Sequence, residues 1–221
     1  ELFADEMGGA VMPHAKKYYA NILMHFSPQV LKLVETVKEL GLEFNLICPD
    51  HGVYWRKEIH QIIDAYVDWA NQERVRKAVL VYDSMWQSTE KMANAIASGI
   101  ADKGVEVRPM TLRKWHRSDV MTEVMDAGAI IVGSPTLNNN IFPTVADMLV
   151  YMKGLRPQNK LAAAFGSHGW SGEAVKLINA EFEAMKLEIA DPGLRIKFVP
   201  DNDGLEQCYA WGQKLGAAIS A

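Results

Sequence analysis

The sequence predicts an α/β fold for residues 77–221: a doubly wound, five-stranded parallel sheet in strand order 2-1-3-4-5. Three observations predict it. Short apolar runs recur at 78–82, 105–109, 129–133, 161–165 and 195–199, each of a length that suits a buried strand. Stretches of helical length separate them, near 89–102, 118–127, 143–154, 172–186 and 204–219, and strands alternating with helices build a parallel sheet covered on both faces. Polar loops follow the first, third and fourth runs, at 84–89, 134–140 and 166–172. In the order 2-1-3-4-5 these three strand ends meet at one pocket, with the second and fifth strand ends outside it.

The elements before the sheet follow from the same rules. Residues 15–26 read as a helix that Ser27-Pro28 ends, with Ser27 as N-cap and Pro28 in the first turn of a second helix, 28–40. Gly41 closes it. Residues 43–48 read as a short strand and 49–56 as a loop. Ile59, Ile62, Ile63, Tyr66, Val67 and Ala70 recur at helical spacing, which predicts an amphipathic helix over 57–70. The polar stretch 71–77 interrupts the apolar pattern, so a domain boundary is expected there, dividing 1–72 from 77–221.

Composition narrows the function classes. Apolar residues make up 49% of 221, enough for one large core or two modest ones. The 23 basic and 27 acidic residues are dispersed and leave a net charge of −4, so neither nucleic acid nor a membrane surface is an expected partner. No apolar run reaches the roughly 18–20 residues of a membrane span, and the first residues are not a signal sequence. Cys48 and Cys208 lie far apart in apolar runs, which suits buried free thiols in the cytoplasm. The chain does not begin with Met, and it reads as the later part of something longer.

The turn Asp83-Ser84-Met85-Trp86-Gln87-Ser88-Thr89 joins a strand to a helix. Its three hydroxyls stand beside the free N–H groups of a helix start, which is a site for phosphate. It lacks the glycines and lysine of a nucleotide triphosphate loop, so a monophosphate such as that of FMN fits it better. The second loop, Ser134-Pro135-Thr136-Leu137-Asn138-Asn139-Asn140, offers amides. The third, Gly166-Ser167-His168-Gly169-Trp170-Ser171-Gly172, offers glycines for close approach and Trp170 for stacking. A flavin needs such an apolar face and such polar edges. The plainer alternative is that Ser, Asn and Gly merely populate loops and that Trp86 and Trp170 cap the core.

Residues 77–221 resemble a flavodoxin-like domain, and Ser84-Met85-Trp86-Gln87-Ser88-Thr89 resembles the phosphate loop of the flavodiiron proteins, including rubredoxin:oxygen oxidoreductases and nitric oxide reductases. Ordinary flavodoxins carry Thr/Ser-x-Thr-Gly-x-Thr instead. The resemblance implies that Ser84, Ser88 and Thr89 bind the FMN phosphate, with Met85, Trp86 and Gln87 of the same turn also against the cofactor. It further implies that Pro135, Thr136, Leu137, Asn138 and Asn139 line the ring and ribityl chain. Ser167, Gly169, Trp170, Ser171 and Gly172 would close the third side, with His168 either beside the flavin or facing solvent.

The loop Cys48-Pro49-Asp50-His51-Gly52 resembles the Pro-x-His-Gly loop of the same family, which implies that residues 1–72 are the C-terminal part of a metallo-β-lactamase-like domain with His51 as an iron ligand. Phe3-Ala4-Asp5-Glu6-Met7-Gly8 resembles the segment that supplies the bridging carboxylate. Asp5 is the matching residue, Glu6 the competing one. The upstream ligand cluster of the family is missing, and Asp5 and His51 alone cannot hold two irons. The chain is thus expected to be one fragment of a longer protein.

The implied activity is that of an oxidoreductase, in which electrons pass from a rubredoxin-like carrier or a reduced flavin donor through FMN to a diiron site. That site reduces O₂ to water, NO to N₂O, or both. The implied partners are the remainder of the metallo-β-lactamase-like domain and a second subunit in a head-to-tail homodimer or higher oligomer. Two rivals stand beside this reading: a stand-alone flavodoxin-like electron carrier or NAD(P)H:quinone reductase, and a non-catalytic scaffold.

Overall fold

The computed structural model describes residues 2–221. Helix α1, Val11–Tyr18, runs without a break through a π-helical turn, Tyr19–Leu23, and a 3-10 turn, Met24–Phe26, into α2, Ser27–Glu39. The expected helix end at Ser27 is therefore corrected. Ser27 is already helical, and its hydroxyl donates to the Met24 carbonyl at 2.7 Å and meets the Tyr19 hydroxyl at 3.0 Å. A buried serine can satisfy itself on the preceding turn instead of capping the next helix. Gly41, at φ 60°, does close α2.

The expected strand over 43–48 does not form. Only an isolated bridge, Ile47 to Trp55, is made there, and Phe44 and Leu46 are exposed. A strand exists through a partner that takes its backbone groups, and none flanks this segment among the described residues. Cys48 is exposed for the same reason, contrary to expectation, whereas Cys208 is buried. Helix α3, Ile59–Asn71, forms as its periodicity predicts.

The sheet begins inside the polar stretch, with β1 at Val75–Tyr82. Lys77 is buried there because its ammonium meets Glu123 at 2.6 Å and Asp126 at 2.7 Å. Then follow α4 (Ser88–Ala101), β2 (Glu106–Thr111), α5 (Arg117–Val124), β3 (Ala127–Gly133), β4 (Thr136–Leu137), β5 (Asn140–Ile141), α6 (Pro143–Leu155) and β6 (Leu161–His168). The chain ends with α7 (Ala174–Ala184), β7 (Glu188–Ile189), β8 (Leu194–Lys197) and α8 (Asn202–Ser220). All pairings in the main sheet are parallel, in the order β2-β1-β3-β6 with β7 and β8 both on the far edge of β6. This is the expected order, with the fifth strand in two pieces. The chain leaves the sheet at 190–193, where Pro192 has no N–H to donate and Gly193 sits at φ 109°.

Alternate residues of each strand bury on opposite faces. Ala78, Leu80, Ala129, Ile131 and Ala163 pack with α4 and α8. Val79, Val81, Ile130, Val132 and Ala164 pack with α5, α6 and α7, and Tyr19, Ala20, Met24 and Ala70 of the preceding helices join that same core. No helix among the described residues is long and apolar enough to cross a membrane.

Candidate functional site

The loops after β1, β3 and β6 come together at the carboxyl edge of the sheet, tied by hydrogen bonds that link neighbouring strand ends. The Asp83 amide donates to the Gly133 carbonyl at 3.4 Å, and the Ser134 amide donates to the Phe165 carbonyl at 3.0 Å. Across the first and third loops, the hydroxyls of Thr89 and Ser167 meet at 2.9 Å, both buried. Gly166 lies against Ser134 so closely that an added Cβ would stand 2.3 Å from its carbonyl oxygen, which is why a side chain is missing there.

In the first loop, Gln87 takes φ 65° as the residue before α4, and Ser88 opens that helix. Ser84 is buried and its hydroxyl has no partner among the described residues. A buried oxygen left unmet costs free energy unless something else satisfies it. The helix start supplies further donors and the positive end of its dipole. Met85 and Trp86 reach outward, Trp86 being 79% exposed. Tyr82, Ser84, Trp86, Gln87, Arg113 and Lys114 line a cavity of about 390 Å³ on this loop.

The second loop is a small hairpin rather than irregular chain. Asn138 and Asn139, at φ 50° and 57°, turn β4 back along β5, the left-handed pair of a type I′ turn. Buried Ser134 shapes it by accepting from the Phe142 amide at 2.9 Å and donating to the Pro135 carbonyl at 2.8 Å. Thr136 accepts from the Ala174 amide at 3.3 Å, which brings the second loop against the third.

In the third loop, Gly172 adopts φ 74° under the His168 ring, where an added Cβ would come within 2.9 Å of the imidazole. His168 Nδ1 and Glu173 Oε2 are buried without partners among the described residues. Ser171 is exposed, Gly169 is half-buried, and Trp170 is 91% exposed. Trp86 and Trp170 therefore do not cap the core; two indoles stand free at the rim.

The residue sequence reasoning missed is Asp83. Its carboxylate is 2% exposed, accepts from the Ser84 amide at 2.6 Å, the Arg113 Nε at 2.9 Å and the Thr144 hydroxyl at 2.6 Å, and sits directly under the first loop. An acid closing an apolar strand was the only sequence signal available. Arg113 and Thr144 gave none, since both arrive from distant segments.

The front segment places Asp5 and His51 differently from each other. Asp5 pairs with Arg56 at 3.1 Å and Lys57 at 3.2 Å, and the Arg56 guanidinium beside it holds its carboxyl below the usual carboxylate range. Glu6 also meets Arg56, at 3.0 Å. His51 lies beside Tyr18, their ring centres 5.8 Å apart, on an apolar recess of about 740 Å³ shared with His14, Trp55, Ile63 and Tyr66. Among the described residues no group of three or more His, Cys, Asp or Glu is placed to hold a metal ion.

Known proteins share this fold. The flavodoxin family model matches residues 80–212. The chain is 44% identical over 220 residues to a nitric oxide reductase of Moorella thermoacetica, covering 99% of this chain and 55% of that protein. The solved rubredoxin oxygen:oxidoreductase of Desulfovibrio gigas superposes with a TM-score of 0.96 at 42% identity, covering all of this chain and 56% of that one. The flavodiiron protein of Giardia intestinalis superposes with a TM-score of 0.93 at 36% identity, covering 100% and 55%. The chain thus spans about half the length of the relatives it matches.

Proposed function

The chain belongs to the flavodoxin family by residues 80–212 and to the flavodiiron proteins along its whole length, and from that premise we propose that it is the flavin-binding portion of a flavodiiron oxidoreductase. The observation that carries this reading is the unmet Ser84 hydroxyl, buried in a helix-start turn to which two further loops are tied. The residues present fit FMN. Ser84 and the free amides at the start of α4 would hold the phosphate, the 134–140 hairpin and the 166–172 loop would flank the ring, and Trp86 and Trp170 are free to cover it. Unpartnered His168 Nδ1 and Glu173 Oε2 give that rim polar atoms to meet a heterocycle edge.

Bound FMN would supply storage and release of electrons one or two at a time. This chain's own part is to anchor the phosphate, orient the ring between two loops and leave one edge open to a donor. The name of the Desulfovibrio gigas relative points to a rubredoxin-like donor; a reduced flavin is the alternative donor. The whole protein would reduce O₂ to water, NO to N₂O, or both.

A diiron centre does not fit the residues present here. Asp5 is committed to Arg56 and Lys57, and among the described residues no group of three or more ligating side chains forms with His51, so no iron chemistry is derived from this chain. In the full-length protein Asp5 and His51 would contribute two ligands among others supplied by the remainder of a metallo-β-lactamase-like domain, of which 1–72 is the last part and 77–221 the flavin domain. A head-to-tail homodimer or higher oligomer would bring one subunit's flavin to the other's metal site.

The test is an absorption spectrum and metal analysis of the full-length protein. The proposal expects oxidised-flavin absorption together with a pair of irons per subunit. Flavin without iron would favour a stand-alone electron carrier or quinone reductase, and a colourless protein after FMN reconstitution would refute the flavin assignment.

A further inference from the structure

We propose that Asp83 is the positioning residue of the phosphate turn and that Arg113 is the charge that makes an anion tolerable above it. The inference rests on the flavin reading and adds how the turn is held and how its charge is balanced. Four observations support it. The Asp83 carboxylate is nearly fully buried at the end of β1, immediately before Ser84. One of its oxygens takes the Ser84 amide, so that amide is unavailable to a ligand and the Ser84 hydroxyl is left as the free group of that residue. Its other oxygen takes the Thr144 hydroxyl from the start of α6, which fixes the carboxylate between two elements. Arg113, from the loop after β2, donates Nε to Asp83 and Nη2 to the Ser84 carbonyl, clasping the first residue of the turn from outside.

The charge arithmetic gives this arrangement its function. A phosphate monoester carries close to two negative charges near neutral pH. A bare carboxylate buried under the turn would repel it through a medium that screens poorly. Arg113 cancels that charge, and its side chain remains 60% exposed along the wall of the same cavity as Ser84 and Gln87. The turn can then act through neutral donors and the α4 start, without a net negative floor.

The test compares FMN with riboflavin, which has the same ring and no phosphate, by quenching of flavin fluorescence on titration with this chain. The preference for FMN over riboflavin isolates the phosphate contribution from ring contacts. Arg113→Gln should lower the preference by about tenfold or more, the scale of one charge-assisted interaction, with riboflavin affinity unchanged. Asp83→Asn with Arg113→Gln should recover part of that loss, because the uncompensated carboxylate is gone. Thr144→Val, which frees one side of Asp83, should lower the preference by a smaller factor and serves if Asp83→Asn fails to fold. Wild-type preference retained in Arg113→Gln and Thr144→Val would overturn the inference. Equal binding of the two flavins by the wild-type chain would instead remove the phosphate site itself.

Discussion

Lys160 gives the most quantitative expectation. It is 1% exposed at the start of β6, and its ammonium donates to the carbonyls of Gln72, at 3.2 Å, and Met125, at 3.0 Å, with no carboxylate among the described residues in contact. Burial pushes its pKa down to about 8, from an ordinary 10.5. Below that value both folded and unfolded chains hold the proton, and the fold bears the whole cost of a buried charge. As pH rises through about 8 the folded chain releases the proton while the unfolded chain keeps it, so the unfolded state binds more protons and stability rises with pH. Between about pH 7 and pH 9.5 the gain from this one group is about 2 kcal/mol, at about 1.36 kcal/mol per unit of displacement. The perturbation is Lys160→Met, which removes the titration. Urea unfolding of both proteins at the two pH values isolates the effect, because every other group titrates in both. The wild type should gain about 2 kcal/mol on the variant over that window. A constant difference between the two proteins would refute the idea that burial lowers the Lys160 pKa.

Four further outcomes follow from the site and the core. Ser84→Ala should weaken FMN by about 1.5–3 kcal/mol, the value of a hydrogen bond to a charged group, read by flavin fluorescence; unchanged affinity would place the phosphate elsewhere. In the full-length protein, His51→Ala should abolish O₂ and NO reduction while flavin absorbance persists, and normal turnover would show that His51 is no ligand. Gly166→Ala should cost about 2 kcal/mol or more in denaturant unfolding, since its Cβ would stand 2.3 Å from a backbone oxygen that cannot swing aside; a neutral result would mean that the β3 and β6 ends do not touch. Iodoacetamide near neutral pH should label exposed Cys48 and spare Cys208, whose thiol burial pushes up to about 11. A mass spectrum showing both modified in the folded chain would contradict that burial.

Much of the site was legible because its signals are local. Ser84, Ser88 and Thr89 lie within one turn, and a strand that hands over to a helix announces itself through a change of apolar period. The same locality explains the success of β1, β3 and β6, which are buried on both faces and read as unbroken apolar runs. What failed depended on neighbours. Residues 43–48 had strand composition but no adjacent strand, and Ser27 had a cap's identity but used its hydroxyl on Met24 and Tyr19. The Asn138-Asn139 hairpin carries only two residues of strand on either side, too short a pattern for its alternation to show in the sequence.

By itself the amino-acid order determined the alternation of strands and helices, the rim at which the polar loops would gather and the hydroxyl-rich turn suited to a monophosphate, because each of these follows from the period and chemistry of a few consecutive residues. Only the tertiary structure decided that Thr89 meets Ser167, that Arg113 and Thr144 converge on Asp83, and that Asp5 is held by Arg56. Those contacts join residues dozens of positions apart, and the distance between such residues is set by how the layers pack on one another, which no short stretch of sequence encodes.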